Sequence, residues 1–283
     1  MATRLCVVGS VNADLTFTVE SLPRPGETIL ASSLLSSPGG KGGNQAVAAA
    51  RAGAAVQLVA ALGTDGAAHQ LRTHLTTNGV GLDGVVEIPG PSGSATILVD
   101  ARAENCIVVA PGANGHLSLS SRAVQAVVAD SDVVLVSLEI PVDTAVAAAR
   151  IARSSGAVAI LNASPTPQDP AALADLFDVV VVNEEEAAPW TGRAVPHLVV
   201  TRGSEGARHI GEQRFDVASP DVEAVDTTGA GDVFAGVLAA SWPDGVEYAL
   251  ARACAAGALA TLAHGAGDCA PYSEAIEDVM GAS

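Results

Sequence analysis

The sequence predicts an α/β fold in which a central, mostly parallel sheet is flanked by helices. Six short apolar runs rich in β-branched residues are typical of strands buried on both faces; they span residues 5–9, 56–60, 133–137, 157–161, 179–182 and 198–201. Longer alanine-rich segments at 45–53, 144–154 and 246–264 have the length expected of helices. Because strands alternate with helices, we expect parallel strands joined by helical crossovers.

Two regions interrupt this alternation. Residues 13–37 and about 92–110 are extended segments with proline and glycine turns. The sequence contains no internal repeat and no low-complexity linker that would mark a domain boundary. We therefore expect residues 1–283 to form one α/β domain.

The composition argues against several classes of partner. The 283 residues carry a formal charge of −17, which opposes binding to nucleic acid or to an anionic membrane. The first residues lead into an apolar strand, with neither a signal peptide nor a transmembrane segment, so we expect a cytoplasmic protein.

The cysteines are few and scattered. Cys6, Cys106, Cys254 and Cys269 lack the spacing of a metal site. Cys6 and Cys254 lie in apolar runs, which favours buried thiols in a reducing compartment.

The segment 226–232, Asp-Thr-Thr-Gly-Ala-Gly-Asp, gives the clearest sign of chemistry because an apolar, helix-like run follows it. Unpaired backbone amides at a helix N-terminus attract anions, and glycines let a phosphate approach the main chain. A carboxylate there would repel a phosphate, but it could take a proton from a hydroxyl that attacks the phosphorus. Asp232 is thus the candidate base for phosphoryl transfer to an alcohol. The alternative is a structural helix start capped by Asp226 or Thr227.

A second glycine-rich segment, 39–45, has the sequence Gly-Gly-Lys-Gly-Gly-Asn-Gln. Lys41 is the only lysine in the chain, and with Asn44 it offers hydrogen bonds suited to sugar hydroxyls. A Walker-type phosphate loop needs Gly-Lys-Ser/Thr, whereas Gly42 follows Lys41 here. A nucleotide must therefore be held in another way.

Together these two segments resemble the two signatures of the ribokinase (PfkB) family of carbohydrate kinases. Further matching segments extend the resemblance over nearly the whole chain; they lie at 9–14, 23–28, 63–66, 138–141, 183–186 and 201–206. The resemblance implies a ribokinase-like fold in which a small sheet, at about 13–37 and 92–110, forms a lid over the sugar. It also implies ATP-dependent phosphorylation of D-ribose at O5, Mg²⁺ bound with the ATP, K⁺ or a similar monovalent activator, and a homodimer formed through the lid.

The resemblance also assigns roles to individual residues. Asp232 would be the base, and the amides of Gly229, Ala230 and Gly231 would form an anion hole for the transferred group. The sugar would be held by Asn12, Asp14, Gly40, Lys41, Gly42, Asn44, Glu139 and Asp232. The nucleotide would be held by Asn183, Thr201, Arg202, Gly203, Ser204, Glu205, Gly206, Gly231, Asp232 and Cys254. Asn183 and Glu186 would orient Mg²⁺, mainly through water, and the monovalent cation would be held by Asp226, Thr228, Ala260, Ala263, Gly265 and Cys269.

Two features depart from the family's pattern. Cys269 stands where the family usually offers a serine oxygen, and a soft thiol is a poorer ligand for K⁺, so we expect weaker activation by the cation. After Trp190 the chain reaches the next strand within a few residues, where the family usually inserts a helix. We expect that shortening to change the periphery of the fold rather than the chemistry.

The sequence leaves three functions open. A D-ribose kinase is favoured by the segments 12–14 and 39–44. A relative that acts on another sugar-like substrate, such as deoxyribose or a ribonucleoside, would share the Asp232 chemistry and differ in the lid. A catalytically silent sugar sensor is the third reading, although a sensor has no need of Asp232.

Overall fold

The computed structural model describes residues 2–102 and 104–281. Its large sheet contains, in spatial order, β14 (Arg214–Val217), β13 (Ala207–Ile210), β12 (His197–Thr201), β11 (Val179–Asn183), β10 (Val158–Asn162), β9 (Val133–Ser137), β1 (Arg4–Val8) and β4 (Ala55–Val59). The strands from β12 to β4 are parallel, and the β13–β14 hairpin adds two antiparallel strands at one edge. The six apolar runs coincide with the parallel strands to within one residue, which confirms the mostly parallel sheet.

Helices cover both faces of this sheet. They are α1 (Lys41–Arg51), α2 (Gly66–Thr77), α3 (Arg122–Ala129), α4 (Val142–Ser155), α5 (Ala171–Ala174), α6 (Ala230–Ser241), α7 (Val246–Ala260) and α8 (Ser273–Gly281). One apolar core packs α1, α2, α6, α7 and α8 against one face, and a second core packs α3, α4 and α5 against the other. The predicted helices correspond to α1, α4 and α7, although α1 begins earlier, inside the glycine-rich segment.

A separate small sheet lies beyond the end of β1. Its strands, in spatial order, are β3 (Ser33–Gly39), β2 (Asn12–Thr18), β7 (Gly93–Val99) and β8 (Asn105–Ala110). A two-stranded pair, β5 (Ala61–Leu62) with β6 (Val86–Glu87), completes the strands of the described chain. The predicted small sheet is confirmed. Asn12 pairs with both Gly39 and Gly93, so the base of this sheet adjoins the carboxyl end of β1.

The connection between β11 and β12 is short, as the sequence predicts. In the described part of the chain it contains a 3-10 turn at Ala188–Trp190 but no α-helix. Within the ranges 2–102 and 104–281, no helix combines the length and apolar character needed to cross a membrane.

Candidate active site

The N-termini of α1 and α6 meet at the carboxyl edge of the parallel strands, where ligands of α/β proteins gather. Each helix follows a glycine with a positive φ angle, 85° at Gly40 and 82° at Gly229, a conformation that favours glycine. The helices pack closely because Gly236 has no side chain: a Cβ there would overlap the carbonyl oxygen of Gln45. This contact brings the first turn of α1 beside Asp232 in the first turn of α6.

The start of α1 is also fixed against β1. A Cβ added at Gly42 would lie 2.6 Å from the carbonyl carbon of Gly9, so only glycine allows the two backbones to approach this closely. In the glycine-rich segment, Gly39 ends β3, Gly40 precedes the helix, and residues 41–45 form the start of α1.

The carboxylate of Asp232 is held by side chains of α1. Asp232 is only 7% exposed. The Asn44 amide donates to Oδ2 and the Gln45 amide donates to Oδ1, each at 3.0 Å. The Nζ of Lys41 lies 3.9 Å from Oδ1. Donors on both oxygens fix the plane of the carboxylate, and each oxygen retains a lone pair for another partner.

The charges of three carboxylates, Asp232, Glu139 and Glu186, act on Lys41, the single lysine of the chain. Burial, and then the charges of Glu139 and Asp232, raise the pKa of Asp14 to about 6. The charge of Asp232 raises the pKa of Lys41 against the opposing effect of burial, and Glu139 and Glu186 raise it further. Lys41 is therefore a cation at neutral pH. One cationic donor among several carboxylate acceptors suits a ligand that carries many hydroxyl groups.

Glu139, which follows β9, joins three elements of the cleft. Its Oε2 accepts from the Ser10 hydroxyl at 2.5 Å and from the backbone N–H of Lys41 at 3.1 Å. Because it satisfies one of the unpaired amides at the start of α1, Glu139 is more than a solvated carboxylate at a strand end.

Asn12 is oriented by a residue that sequence reasoning missed. Its Oδ1 accepts from the Nδ2 of Asn114 at 2.8 Å, and the Oδ1 of Asn114 accepts from the backbone N–H of Val11 at 3.0 Å. Both asparagines are buried. With its oxygen engaged, Asn12 can present its N–H donors to a ligand. Ser10 and Gln45 were missed as well, although Gln45 adjoins the candidate residue Asn44.

On the nucleotide side, Asn183 and Glu186 bond to each other. The Oδ1 of Asn183 accepts from the Glu186 N–H at 2.8 Å, and a Glu186 carboxylate oxygen accepts from the Asn183 N–H at 3.2 Å. Thr201 pairs with Asn183 across β11 and β12, so both lie at the same edge of the sheet. The charge of Glu186 contributes to the raised pKa of Lys41.

The loop after β12 carries most of the remaining nucleotide candidates. A 3-10 turn spans Gly203–Glu205, and Arg202 makes an ion pair with Asp216 at 3.2 Å. Gly206 has a φ angle of 95°, and a Cβ there would overlap the carbonyl oxygen of Val217.

Cys254, on α7, lies against Val217 at the end of β14. Its Sγ is 3.8 Å from the Val217 carbonyl oxygen. Burial raises the pKa of this thiol to about 12, so it is neutral. Cys254 can therefore offer an apolar, polarisable contact but no charge.

Asp226 links the two loops of the candidate monovalent-cation site. Its Oδ1 accepts from the Thr228 N–H and its Oδ2 from the Gly265 N–H, each at 2.9 Å. Burial opposes ionisation, but these amides, Gly265 foremost, lower the pKa of Asp226 overall. A charged carboxylate that aligns two loops suits a cation held by backbone carbonyls.

The other candidates of this site lie along the same loops. The Ala260 carbonyl, at the end of α7, accepts from Ala263 at 3.3 Å. The Sγ of Cys269 lies 3.4 Å from the Ala266 carbonyl oxygen and 3.8 Å from that of Thr228. Burial raises the pKa of the Cys269 thiol to about 11, so it would contribute a neutral ligand. The donor set is dominated by oxygens, which fits a hard cation.

No group of three or more His, Cys, Asp or Glu side chains is placed to hold a metal ion anywhere in the two described ranges. Asn183 and Glu186 supply only two side chains with oxygen donors. This sparse set fits Mg²⁺, which keeps several waters and binds substrate phosphates.

A family model matches nearly the whole chain. The model of the pfkB family of carbohydrate kinases matches residues 2–272. The chain belongs to this family. As a pfkB kinase, it is an ATP-dependent sugar kinase.

Relatives of this pfkB kinase include several ribokinases. A ribokinase of Bacillus subtilis is 33% identical over 290 residues, which cover 98% of this chain and 99% of that protein. A bifunctional ribokinase/ribose-5-phosphate isomerase A of Fructilactobacillus sanfranciscensis is 32% identical over 302 residues; these cover 98% of this chain and 56% of that protein. The structure of Arabidopsis thaliana ribokinase complexed with ribose and ATP superimposes with a TM-score of 0.90 at 29% identity, covering 99% of each chain.

Proposed function

We propose that this pfkB kinase transfers the γ-phosphoryl group of ATP to O5 of D-ribose, with Asp232 as the general base. The observation that carries the proposal is the position of Asp232. Its carboxylate lies in the first turn of α6, beside the amides that we propose as the anion hole, and is held by Asn44 and Gln45. The B. subtilis relative named a ribokinase and the Arabidopsis ribokinase complexed with ribose and ATP support the choice of substrate.

In the proposed step, Asp232 takes the proton of the sugar's primary hydroxyl as O5 bonds to the γ-phosphorus. The bond from that phosphorus to the bridging oxygen breaks, and ADP leaves with the electron pair. The amides of Gly229, Ala230 and Gly231 stabilise the charge on the transferred group, as preorganised donors do in other enzymes.

In the proposed complex, the sugar is held by donors and acceptors of the cleft. Asn12 donates from its Nδ2, because Asn114 occupies its Oδ1. Asn44 gives one N–H of its Nδ2 to Asp232, which leaves its Oδ1 and its second N–H for the sugar. Asp14 and Glu139 accept from hydroxyls, and Lys41 donates. Such a site rejects analogues that lack a hydroxyl, because the buried polar groups are then left unpaired.

Two cations complete the proposal. Asn183 and Glu186 would orient Mg²⁺ through water; the ion would neutralise the charge of the ATP phosphates. The carbonyls of the two loops joined by Asp226 would hold K⁺ or a similar cation beside the anion hole.

Release of ADP in the presence of ATP, Mg²⁺ and K⁺ tests the substrate. We would compare D-ribose, 2-deoxyribose, fructose, fructose 6-phosphate, adenosine and uridine, and repeat the D-ribose assay without K⁺. We expect kcat/KM for D-ribose to exceed every other value at least about tenfold, because a missing hydroxyl leaves a buried polar group unpaired. We also expect ³¹P NMR of the product to show a phosphate ester at C5.

A preference for adenosine or uridine would contradict D-ribose as the substrate but would leave the proposed phosphoryl transfer with Asp232 as base unchanged. No turnover on any compound, together with a melting temperature raised by D-ribose, would identify a sugar sensor instead of a kinase for this substrate.

We further propose that two copies of the chain associate through the small sheet. Its two outer strands expose large apolar side chains: Leu34 and Leu35 on β3, and Ile107, Val108 and Val109 on β8. Leu35 is 62% exposed and Ile107 is 54% exposed. Apolar side chains grouped on outer strands favour association with another chain, and a second copy presents the same surface.

Light scattering after gel filtration tests this association. We expect a dimer for the unchanged protein and a monomer for Ile107→Asp, because the charge would be buried without a partner. Val142→Asp is the matched control, since Val142 is 48% exposed but lies on α4. A monomeric unchanged protein, or an Ile107→Asp variant that remains dimeric, would contradict this interface.

A further inference from the structure

Gln45 is buried in a way that packing does not explain. It is 0% exposed, and no atom within the described residues bonds to its Oε1. A buried amide oxygen without a partner costs free energy that an apolar side chain of the same size would not. The polar group of Gln45 must therefore have a use that offsets this cost.

Among the described residues, the side chain of Gln45 makes one hydrogen bond, which ends on Asp232. Its Nε2 donates to Oδ1 at 3.0 Å, while Asn44 donates to the other oxygen. The two residues are adjacent on α1, and the absence of a side chain at Gly236 sets their distance from α6. The amide cannot turn over without placing its oxygen against an ionised carboxylate, so the charge of Asp232 fixes which atom of Gln45 donates.

We propose that Gln45 is a positioning residue that holds Asp232 in the orientation needed to take a proton from the substrate hydroxyl. This inference rests on the proposed role of Asp232. Asn44 contacts only one oxygen, and the Nζ of Lys41 is 3.9 Å from the other, so without Gln45 the carboxylate could rotate more freely about its Cβ–Cγ bond. Two donors from one helix turn remove that freedom before the substrate binds, and a displacement of about 1 Å at a reacting group can cost on the order of 10²-fold in rate.

Gln45→Met tests the inference because methionine keeps the length and volume of the side chain but has no donor. We expect kcat to fall roughly 10–100-fold, with KM for sugar and ATP changed less than about threefold. We also expect an unchanged or higher melting temperature, because the unpaired buried oxygen is removed.

The matched control is Gln57→Met. Gln57 lies on β4 and donates from its Nε2 to Asp83, also at 3.0 Å, so its substitution removes a similar bond outside the cleft. We expect its kcat to equal that of the unchanged protein. A Gln45→Met variant with full kcat, or one whose kcat falls only in proportion to lost folded protein, would overturn the inference.

A crystal structure of Gln45→Met gives a readout that does not depend on turnover. We expect the Asp232 carboxylate to be rotated or to occupy two orientations; an unchanged carboxylate would overturn the inference. Asp232→Asn, assayed in parallel, separates the two proposals. If that variant retains kcat, the role of Asp232 as base is wrong, whereas if it is inactive and Gln45→Met is fully active, only the role of Gln45 is wrong.

Discussion

Asp232→Asn is expected to lower kcat about 10²–10⁴-fold, the usual contribution of a positioned general base. The substitution keeps the shape of the side chain but removes its capacity to accept a proton. It also leaves one acceptor oxygen for two donors, so either Asn44 or Gln45 loses its partner. Steady-state kinetics with the preferred sugar measures the loss.

Binding should survive this substitution. We expect calorimetric affinities for sugar and ATP within about tenfold of those of the unchanged protein, because most sugar contacts come from other residues. Asp221→Asn removes the same charge at an exposed position and should leave kcat unchanged. Turnover by Asp232→Asn close to that of Asp221→Asn would show that another group takes the proton.

The large sheet was predictable because its signal is local. Each parallel strand is a continuous apolar run, and β9 is buried at all five positions, so the sequence of one strand reveals its environment. The β13–β14 hairpin was not predicted. Its edge strand β14 has alternating exposed and half-buried residues, which gives no apolar run. Similarly, α8 is short, and of the apolar side chains that it packs against the core, Ile276, Val279 and Met280, only Ile276 is fully buried.

The start of α1 shows where local reasoning fails. Glycines disfavour a helix, so the sequence placed its beginning at Gln45, whereas the helix begins at Lys41. The contact of Gly42 with Gly9 and the hydrogen bond from Lys41 to Glu139 stabilise this turn from outside the helix. Tertiary contacts override propensity here.

The residue types of the cleft were predictable, but their mutual bonds were not. Asn114 lies 102 residues from Asn12 along the chain, and Gln45 lies 187 residues from Asp232. No spacing rule links positions so far apart. Their contacts depend on how the small sheet adjoins β1 and on how closely α1 packs against α6. The roles of the individual side chains in catalysis remain predictions.

Asp14→Asn is expected to stabilise the protein without sugar at neutral pH while weakening sugar binding. Asp14 has a pKa of about 6, above the ordinary 3.8, chiefly because it is buried. Between these pH values the folded state binds more protons than the unfolded state, so stability falls as pH rises from about 4 to about 6. Above pH 6 the ionised carboxylate therefore destabilises the folded state, on the order of 1–3 kcal/mol.

Thermal unfolding from pH 4 to 8 measures this difference. The variant should melt at a higher temperature than the unchanged protein at pH 7–8, and the two curves should converge near pH 4, where Asp14 is protonated.

Calorimetry at pH 7.5 should show sugar affinity about 10–100-fold weaker, the value of a hydrogen bond to a charged group. Asp221→Asn should show neither effect. A melting difference independent of pH would contradict the burial of charge at Asp14, and unchanged affinity would contradict its contact with sugar. Asp14 thus destabilises the protein while the cleft is empty, and its carboxylate is explained by the sugar hydroxyls from which it accepts hydrogen bonds. Proteins commonly give up stability at their functional sites.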